Sequence, residues 1–152
     1  MFSQTVEYAL RAMAYLADHA GISQPNPTIA EATKVPSAYL AKVLRQLVQG
    51  RLLKGQRGPN GGFILARPPE NISIWDVVEA VEPIRRIKTC PLALNSHSTN
   101  LCPLHRKLDD AMAILEKTFK ATSLGQLLNQ AGKPHTLCDF VNPGKITLGI
   151  KR

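Results

Sequence analysis

The sequence is poor in acidic residues, in cysteines and in long apolar runs. It has 11 Asp and Glu against 19 Lys and Arg in 152 residues, which gives a net charge of +8. Its three cysteines are too few for a secreted domain built on disulfides. No stretch approaches the roughly 18 apolar residues of a membrane span, and Glu7, Arg11 and Asp18 argue against a signal peptide. We therefore expect a cytoplasmic protein without a membrane partner, which binds a polyanion or an acidic surface.

The first third of the chain has the pattern of a helix followed by a helix-turn-helix. Apolar residues recur at helical spacing from Val6 onward. After the SQPNP run, Thr28 and Glu31 have the spacing of a capping box, which predicts a short helix, TIAEATKV, that Pro36 ends. A longer helix is predicted over Ser37–Gln49. Two helices joined by so short a turn, the second one longer, are typical of a helix-turn-helix.

A basic hairpin is predicted next, where the strand-like runs Leu52–Leu53 and Phe63–Leu65 flank the turn GQRGPNGG. Such a hairpin is the wing of a winged helix. Between Ala32 and Pro69 the chain contains no Asp or Glu, and its basic residues are Lys34, Lys42, Arg45, Arg51, Lys54, Arg57 and Arg67. Contacts with phosphates dominate DNA affinity, so this segregation of charge predicts a DNA-binding face. A basic face used for protein contacts is the alternative interpretation.

The predicted DNA contacts lie on the two helices and the hairpin tip. The start of the second helix would lie in the major groove, and Arg57 at the tip would enter a minor groove. The predicted set is Thr28, Ser37, Ala38, Tyr39, Lys42, Arg45, Arg57, Gly58 and Asn60.

The rest of the chain predicts a helix for pairing with a second copy. An apolar stripe runs over four turns through Leu104, Leu108, Ala111–Met112, Leu115 and Phe119. A long helix after a complete domain has little core left to pack on, so we expect a homodimer. The predicted fold is mainly α with a small β-wing. Its parts are a winged helix-turn-helix domain over 1–83, a Cys/His sensor loop over 84–105, a dimerisation helix and a short following helix over 106–130, and a flexible tail over 131–152.

Several motifs resemble the Rrf family of bacterial winged-helix regulators, which includes the IscR and NsrR types. They are EYALRAM near the N-terminus, YLAKVLRQL, RGPNGGFILAR and the helix at Ile72–Glu82, and the order of elements agrees to about Leu128. The resemblance implies a dimeric transcriptional regulator, most often a repressor, that binds a near-palindromic operator. It also implies that the helix over Leu104–Phe119 is the dimer helix.

The stretch TCPLALNSHSTNLCPLH occupies the place where many members of that family carry three cysteines. In those members the cysteines ligate an iron–sulfur cluster that senses nitric oxide, iron supply or redox state. Here Cys90 and Cys102 fall at the outer positions and Ser96 stands at the middle one. The resemblance implies a 2Fe–2S cluster whose ligands are Cys90, Cys102, His105 and Glu7 of the opposite subunit, with His97 as the alternative to His105.

Other interpretations of this stretch remain open. The same Cys and His groups could bind one zinc ion, although no close C-x-x-C pair is present. Cys90 and Cys102 could form a disulfide that acts as a thiol switch, or the loop could have no sensing role. A Cys–His pair could also serve an enzyme as nucleophile and base. The chain has no Gly-rich phosphate loop, oxyanion motif or clustered carboxylates to accompany it, so we predict a regulator and not an enzyme.

Overall fold

The computed structural model describes residues 2–89 and 101–129. Across these residues the elements follow in the order α1 (Gln4–Asp18), α2 (Asn26–Thr33), α3 (Ser37–Gln49), β1 (Leu53–Gln56), β2 (Gly62–Leu65), a 3-10 turn (Pro69–Asn71), α4 (Ile74–Val81), α5 (Pro103–Ala121) and α6 (Leu124–Leu128). The predicted fold class, mainly α with a small β-wing, is confirmed. None of the helices described is both long enough and apolar enough to cross a bilayer.

The hydrophobic core surrounds α1. This helix packs against α2, α3, α4 and α6. Met13 and Leu16 of α1, Leu40 and Leu44 of α3, and Ile72 before α4 are each at most 1% exposed. Full burial of one such side chain is worth about 1.5–3 kcal/mol. The core therefore fixes the position of α3 relative to α1 and leaves the opposite face of α3 open to solvent.

The predicted start of α2 is wrong. Thr28 was expected to cap the helix, but α2 begins at Asn26 after Pro25, and no side chain caps it. Pro27 lies in the first turn, where its missing N–H has no helical partner to lose and its fixed φ suits the helix. Thr28 is therefore an exposed residue inside the helix.

The predicted bounds of α3 are confirmed, and its end explains the turn into the wing. The helix closes with a Schellman motif, in which Arg51 N–H donates to the Val48 carbonyl and Leu52 N–H donates to the Leu47 carbonyl, each over 3.0 Å. Arg51 adopts the left-handed conformation that this motif requires, with φ of 58°.

The wing is a two-stranded antiparallel hairpin that is longer than predicted. Its register pairs Leu53 with Leu65 and Gln56 with Gly62, so two residues assigned to the turn belong to β1. A second pairing attaches the hairpin to the turn between α1 and α2. Gln24 N–H donates to the Phe63 carbonyl over 2.9 Å, and Phe63 N–H donates to the Gln24 carbonyl over 2.8 Å. The wing is thereby held against the helix-turn-helix.

The last described helices return the chain to the domain. Ser73 before α4 and Ser123 before α6 each form a capping box. The two caps are paired, because Ile74 N–H donates to the Thr122 carbonyl over 3.0 Å and Leu124 N–H donates to the Ile72 carbonyl over 2.8 Å. The end of α5 is thus attached to the core through α6, although α5 itself contains no fully buried residue.

Candidate DNA-binding surface and sensor segment

The first feature of the candidate DNA-binding surface is the amphipathic character of α3. Its buried side, which includes Val43 and Leu47, is fully enclosed by the core. Its exposed side carries Lys42 and Arg45, and neither forms an ion pair with the residues described. Uncompensated cations on one helix face suit binding to phosphates.

The start of α3 is fixed by a residue that sequence reasoning missed. The Asn26 side-chain amide donates to both the carbonyl and the Oγ of Ser37, each over 3.2 Å. Because the Ser37 hydroxyl accepts this bond, its own proton is free to donate to an acceptor such as a phosphate oxygen. The two bonds also join the first turn of α2 to the first turn of α3.

Tyr39, the next predicted contact, is held by α1. Its hydroxyl lies 2.6 Å from Thr5 Oγ1, and its ring packs edge-on against Tyr8 at a centroid distance of 5.5 Å. The guanidinium of Arg11 lies 6.0 Å from the Tyr8 ring centroid and is also bonded to Glu7 over 3.0 Å. Tyr39 remains 37% exposed, so it can reach a ligand while its orientation is constrained.

The tip of the wing is exposed and compact. Gly58 has φ of 107°, which an L side chain rarely adopts, and Gly61 N–H donates to its carbonyl over 2.9 Å. This turn projects Arg57 and Asn60 into solvent. Every residue of the predicted contact set is exposed: Thr28, Ser37, Ala38, Tyr39, Lys42, Arg45, Arg57, Gly58 and Asn60.

The predicted sensor segment, residues 84–105, is described only at its two ends. Cys90 and His97, together with the tail over 131–152, lie outside the described residues. Cys102 is the N-cap residue of α5, and His105 follows one turn later. The two side chains meet, with 3.3 Å between Cys102 Sγ and His105 Nδ1.

The predicted ligand set is assembled only in part. Glu7 is an exposed residue of α1 that bonds to Arg11. Within residues 2–89 and 101–129, no group of three His, Cys, Asp or Glu side chains could hold a metal ion. The structure therefore brings together two of the proposed ligands, Cys102 and His105, and leaves Glu7 for a separate contact.

The Asp109 carboxylate on α5 binds the first part of the segment over 84–105. Asp109 accepts two hydrogen bonds of 2.6 Å from Arg86 and one of 2.9 Å from the N–H of Ile87. The hydrogen bonds from Arg86 lower the pKa of the Asp109 carboxyl, and the Ile87 N–H adds to this effect. Sequence reasoning missed this pair because its members are 23 residues apart and no periodic pattern connects them.

The apolar stripe of α5 is covered along only part of its length. Met112, Leu115 and Phe119 are half-buried, and the Phe119 ring lies 5.4 Å from that of Phe2. Nearer the start of the helix, Leu104 (65%) and Leu108 (46%) of the same stripe are exposed in the single chain, and so is Ile114 (68%) on a neighbouring side. Neighbouring exposed apolar side chains such as Leu104 and Leu108 are typical of an interaction surface.

Comparisons with known proteins agree with this architecture. A family model described as Rrf2, iron-dependent transcriptional regulator, matches residues 2–130. An HTH-type transcriptional regulator of Aquifex aeolicus is 34% identical over 132 residues, which cover 85% of this chain and 92% of the relative. The structure of CymR, the global cysteine regulator of B. subtilis, matches with a TM-score of 0.69 and 24% identity over 84% of this chain and 95% of that one. The structure of T. potens IscR gives the same TM-score and identity, over 84% of this chain and 85% of that one.

Proposed function

Because this chain belongs to the Rrf2 family of transcriptional regulators, we propose that it is a dimeric repressor that binds one operator through α3 and the wing. Its family consists of regulators and not of enzymes. The observation that carries the proposal is the exposed, acid-free surface formed by α3 and the hairpin tip. A protein with this task would act in the cytoplasm, where the chromosome of a bacterium lies.

The wing is tested by substitution of Arg57. Duplexes are first selected from a random pool with the wild-type protein, and binding is then measured between 50 and 300 mM salt. We expect Arg57→Ala to weaken binding and to reduce the salt slope by about one per chain, because one phosphate or minor-groove contact is lost. Lys117→Ala, which removes an exposed cation from α5, is the matched control and should bind as the wild type does. Unchanged binding by Arg57→Ala would contradict the role of the wing.

The exposed apolar side chains on α5 support the dimer. A 19-residue helix is about 28 Å long, and Leu104, Leu108 and Ile114 occupy more than half of that length. Pairing with a second copy would remove these side chains from water. We expect Leu108→Glu to convert a dimer into a monomer in sedimentation experiments, whereas Lys117→Glu should remain a dimer. A monomeric wild-type protein at micromolar concentration would contradict this part of the proposal.

For the sensor segment we propose a 2Fe–2S cluster. The donor chemistry fits in part, because Cys102 and His105 already lie side by side at the start of α5. Ile87, three residues before Cys90 in the sequence, is bound to α5 at Asp109. Cys90, Cys102 and His105 would hold the cluster with Glu7 of the opposite subunit, and His97 is the alternative to His105. Histidine can replace a thiolate on one iron.

When bound, such a cluster would supply chemistry that responds to redox state, nitric oxide or iron supply. The residues around the site would link the state of the cluster to the distance between the two DNA-binding domains of the dimer. Cys102 caps α5, and the Arg86–Asp109 pair attaches the segment before Cys90 to the same helix. Half-sites about one helical turn apart tolerate little error in the spacing of two α3 helices. Ordering of the segment would therefore shift the population of dimers that can bind the operator.

A thiol switch through a Cys90–Cys102 disulfide is the second candidate, because both thiols belong to the same segment of the sequence. The deciding experiment is an absorption spectrum with iron and sulfide analysis of protein purified without oxygen. Bands between about 300 and 600 nm, with near two irons and two sulfides per chain, would support the cluster. Colourless, iron-free protein would contradict it. Operator affinity that changes on oxidation in that protein, and is restored by dithiothreitol, would support the disulfide instead.

A further inference from the structure

Lys34 is held in a backbone conformation that lysine does not favour. Among the residues described, only Lys34 and Arg51 have positive φ without being glycine, and Lys34 has φ of 56° and ψ of 37°. The conformation is required locally, because the N–H groups of both Lys34 and Val35 donate to the Ala30 carbonyl and so end α2. Glycine or asparagine meets this requirement with less strain.

In the described part of the chain, no contact of the Lys34 side chain requires a lysine at this position. It is exposed, and in the described part of the chain it has neither an ion pair nor a side-chain hydrogen bond. It lies in the turn between α2 and α3, three residues before Ser37, and no Asp or Glu occurs between it and Pro69. Residues held in sparsely populated backbone conformations cluster at functional sites.

We propose that Lys34 binds a DNA phosphate beside the groove entered by the start of α3. The inference rests on the proposed DNA-binding function and adds a residue to it. The Lys34 ammonium would reach the backbone of the duplex, while the Ser37 hydroxyl, with its proton left free by Asn26, donates next to it. A phosphate contact fixes the position of the protein on the duplex without reading sequence, so Lys34 contributes equally to operator and random DNA.

The experiment combines stability with DNA binding. Lys34→Gly relieves the backbone strain and removes the charge, and we expect its melting temperature to rise by about 2–4 °C. We also expect its affinity for operator and random duplexes to fall about five- to tenfold per chain at 0.1 M salt, with the salt slope reduced by about one. Lys34→Asn should behave in the same way, and Lys34→Arg should retain the wild-type affinity and slope because it keeps the charge.

Lys117→Ala is the control for net charge. It removes an exposed cation from α5, a helix outside the proposed DNA-binding surface. We expect it to keep the wild-type affinity and salt slope. Wild-type binding by a stabilised Lys34→Gly protein would overturn the inference. The inference would also fail if Lys117→Ala lowered the slope as much as Lys34→Gly, since the effect would then be one of net charge. A wild-type protein that binds no DNA would refute the proposed function itself.

Discussion

The attachment of the wing depends on the absence of a side chain at Gly62. A Cβ atom at this position would lie 2.3 Å from the Gln24 carbonyl oxygen and 2.8 Å from the nitrogen of Pro25. Both are backbone atoms, so no rotamer change can relieve the overlap. Gly62→Ala should therefore separate the hairpin from the turn between α1 and α2, where Gln24 and Phe63 exchange two hydrogen bonds. At about 0.5–1.5 kcal/mol each, their loss should lower the free energy of unfolding by roughly 1–3 kcal/mol.

Gly55 on the facing strand is the matched control, because nothing lies within 4 Å of the position of its Cβ. Gly55→Ala should leave the stability unchanged or raise it by up to about 1 kcal/mol. Urea denaturation followed by circular dichroism measures both variants. The Gly62→Ala protein should also bind DNA more weakly, since the hairpin that presents Arg57 is displaced. Equal stability of wild type and Gly62→Ala, or an equal loss in both variants, would refute the steric argument.

Three further predictions concern the core, a helix cap and the ion pair on α5. Leu44 is fully buried, so Leu44→Ala should lower the free energy of unfolding by about 2–5 kcal/mol in the same assay. Ser73→Ala removes the capping box of α4 and should cost about 1 kcal/mol in the same assay. Because the pKa of Asp109 is lowered in the folded state, its contribution to the free energy of unfolding is complete above about pH 4. This contribution is lost as the pH falls through the folded-state pKa. Thermal melts of wild type and Asp109→Asn should differ at pH 7, and the difference should shrink as the pH falls below about 4; a constant difference would contradict this account.

Local signals predicted the helix-turn-helix well where they agreed with each other. The bounds of α3 follow from the residues on either side of it. Pro36 ends the preceding turn, and Gly50 and Arg51 turn the chain after Gln49. The start of α2 was misjudged because two local signals competed. A capping-box spacing at Thr28 suggested one start, and Pro27 in the first turn permitted an earlier one.

Contacts between distant residues could not be predicted from spacing. Asn26 meets Ser37 across 11 residues, Arg86 meets Asp109 across 23, and Thr5 meets Tyr39 across 34. Such pairs form because the core determines how the helices pack together. No periodic pattern in a single sequence predicts them. The Cys102–His105 contact is different, because residues three apart on a helix face each other.

The apolar pattern predicted helix α5 but could not show which part of its stripe is buried. The prediction that Leu108 and Phe119 share one face agrees with helical geometry, because residues 11 apart lie about 20° apart around the helix. Phe119 packs on Phe2 and the core, whereas Leu108, nearer the start of the helix, is exposed. Ile114, which the stripe omitted, is the most exposed large apolar side chain of the helix. Cys102 is the N-cap residue at the exposed end of the stripe, so the proposed cluster and the proposed dimer contact would share one end of α5, which is the property that a sensor coupled to DNA binding requires.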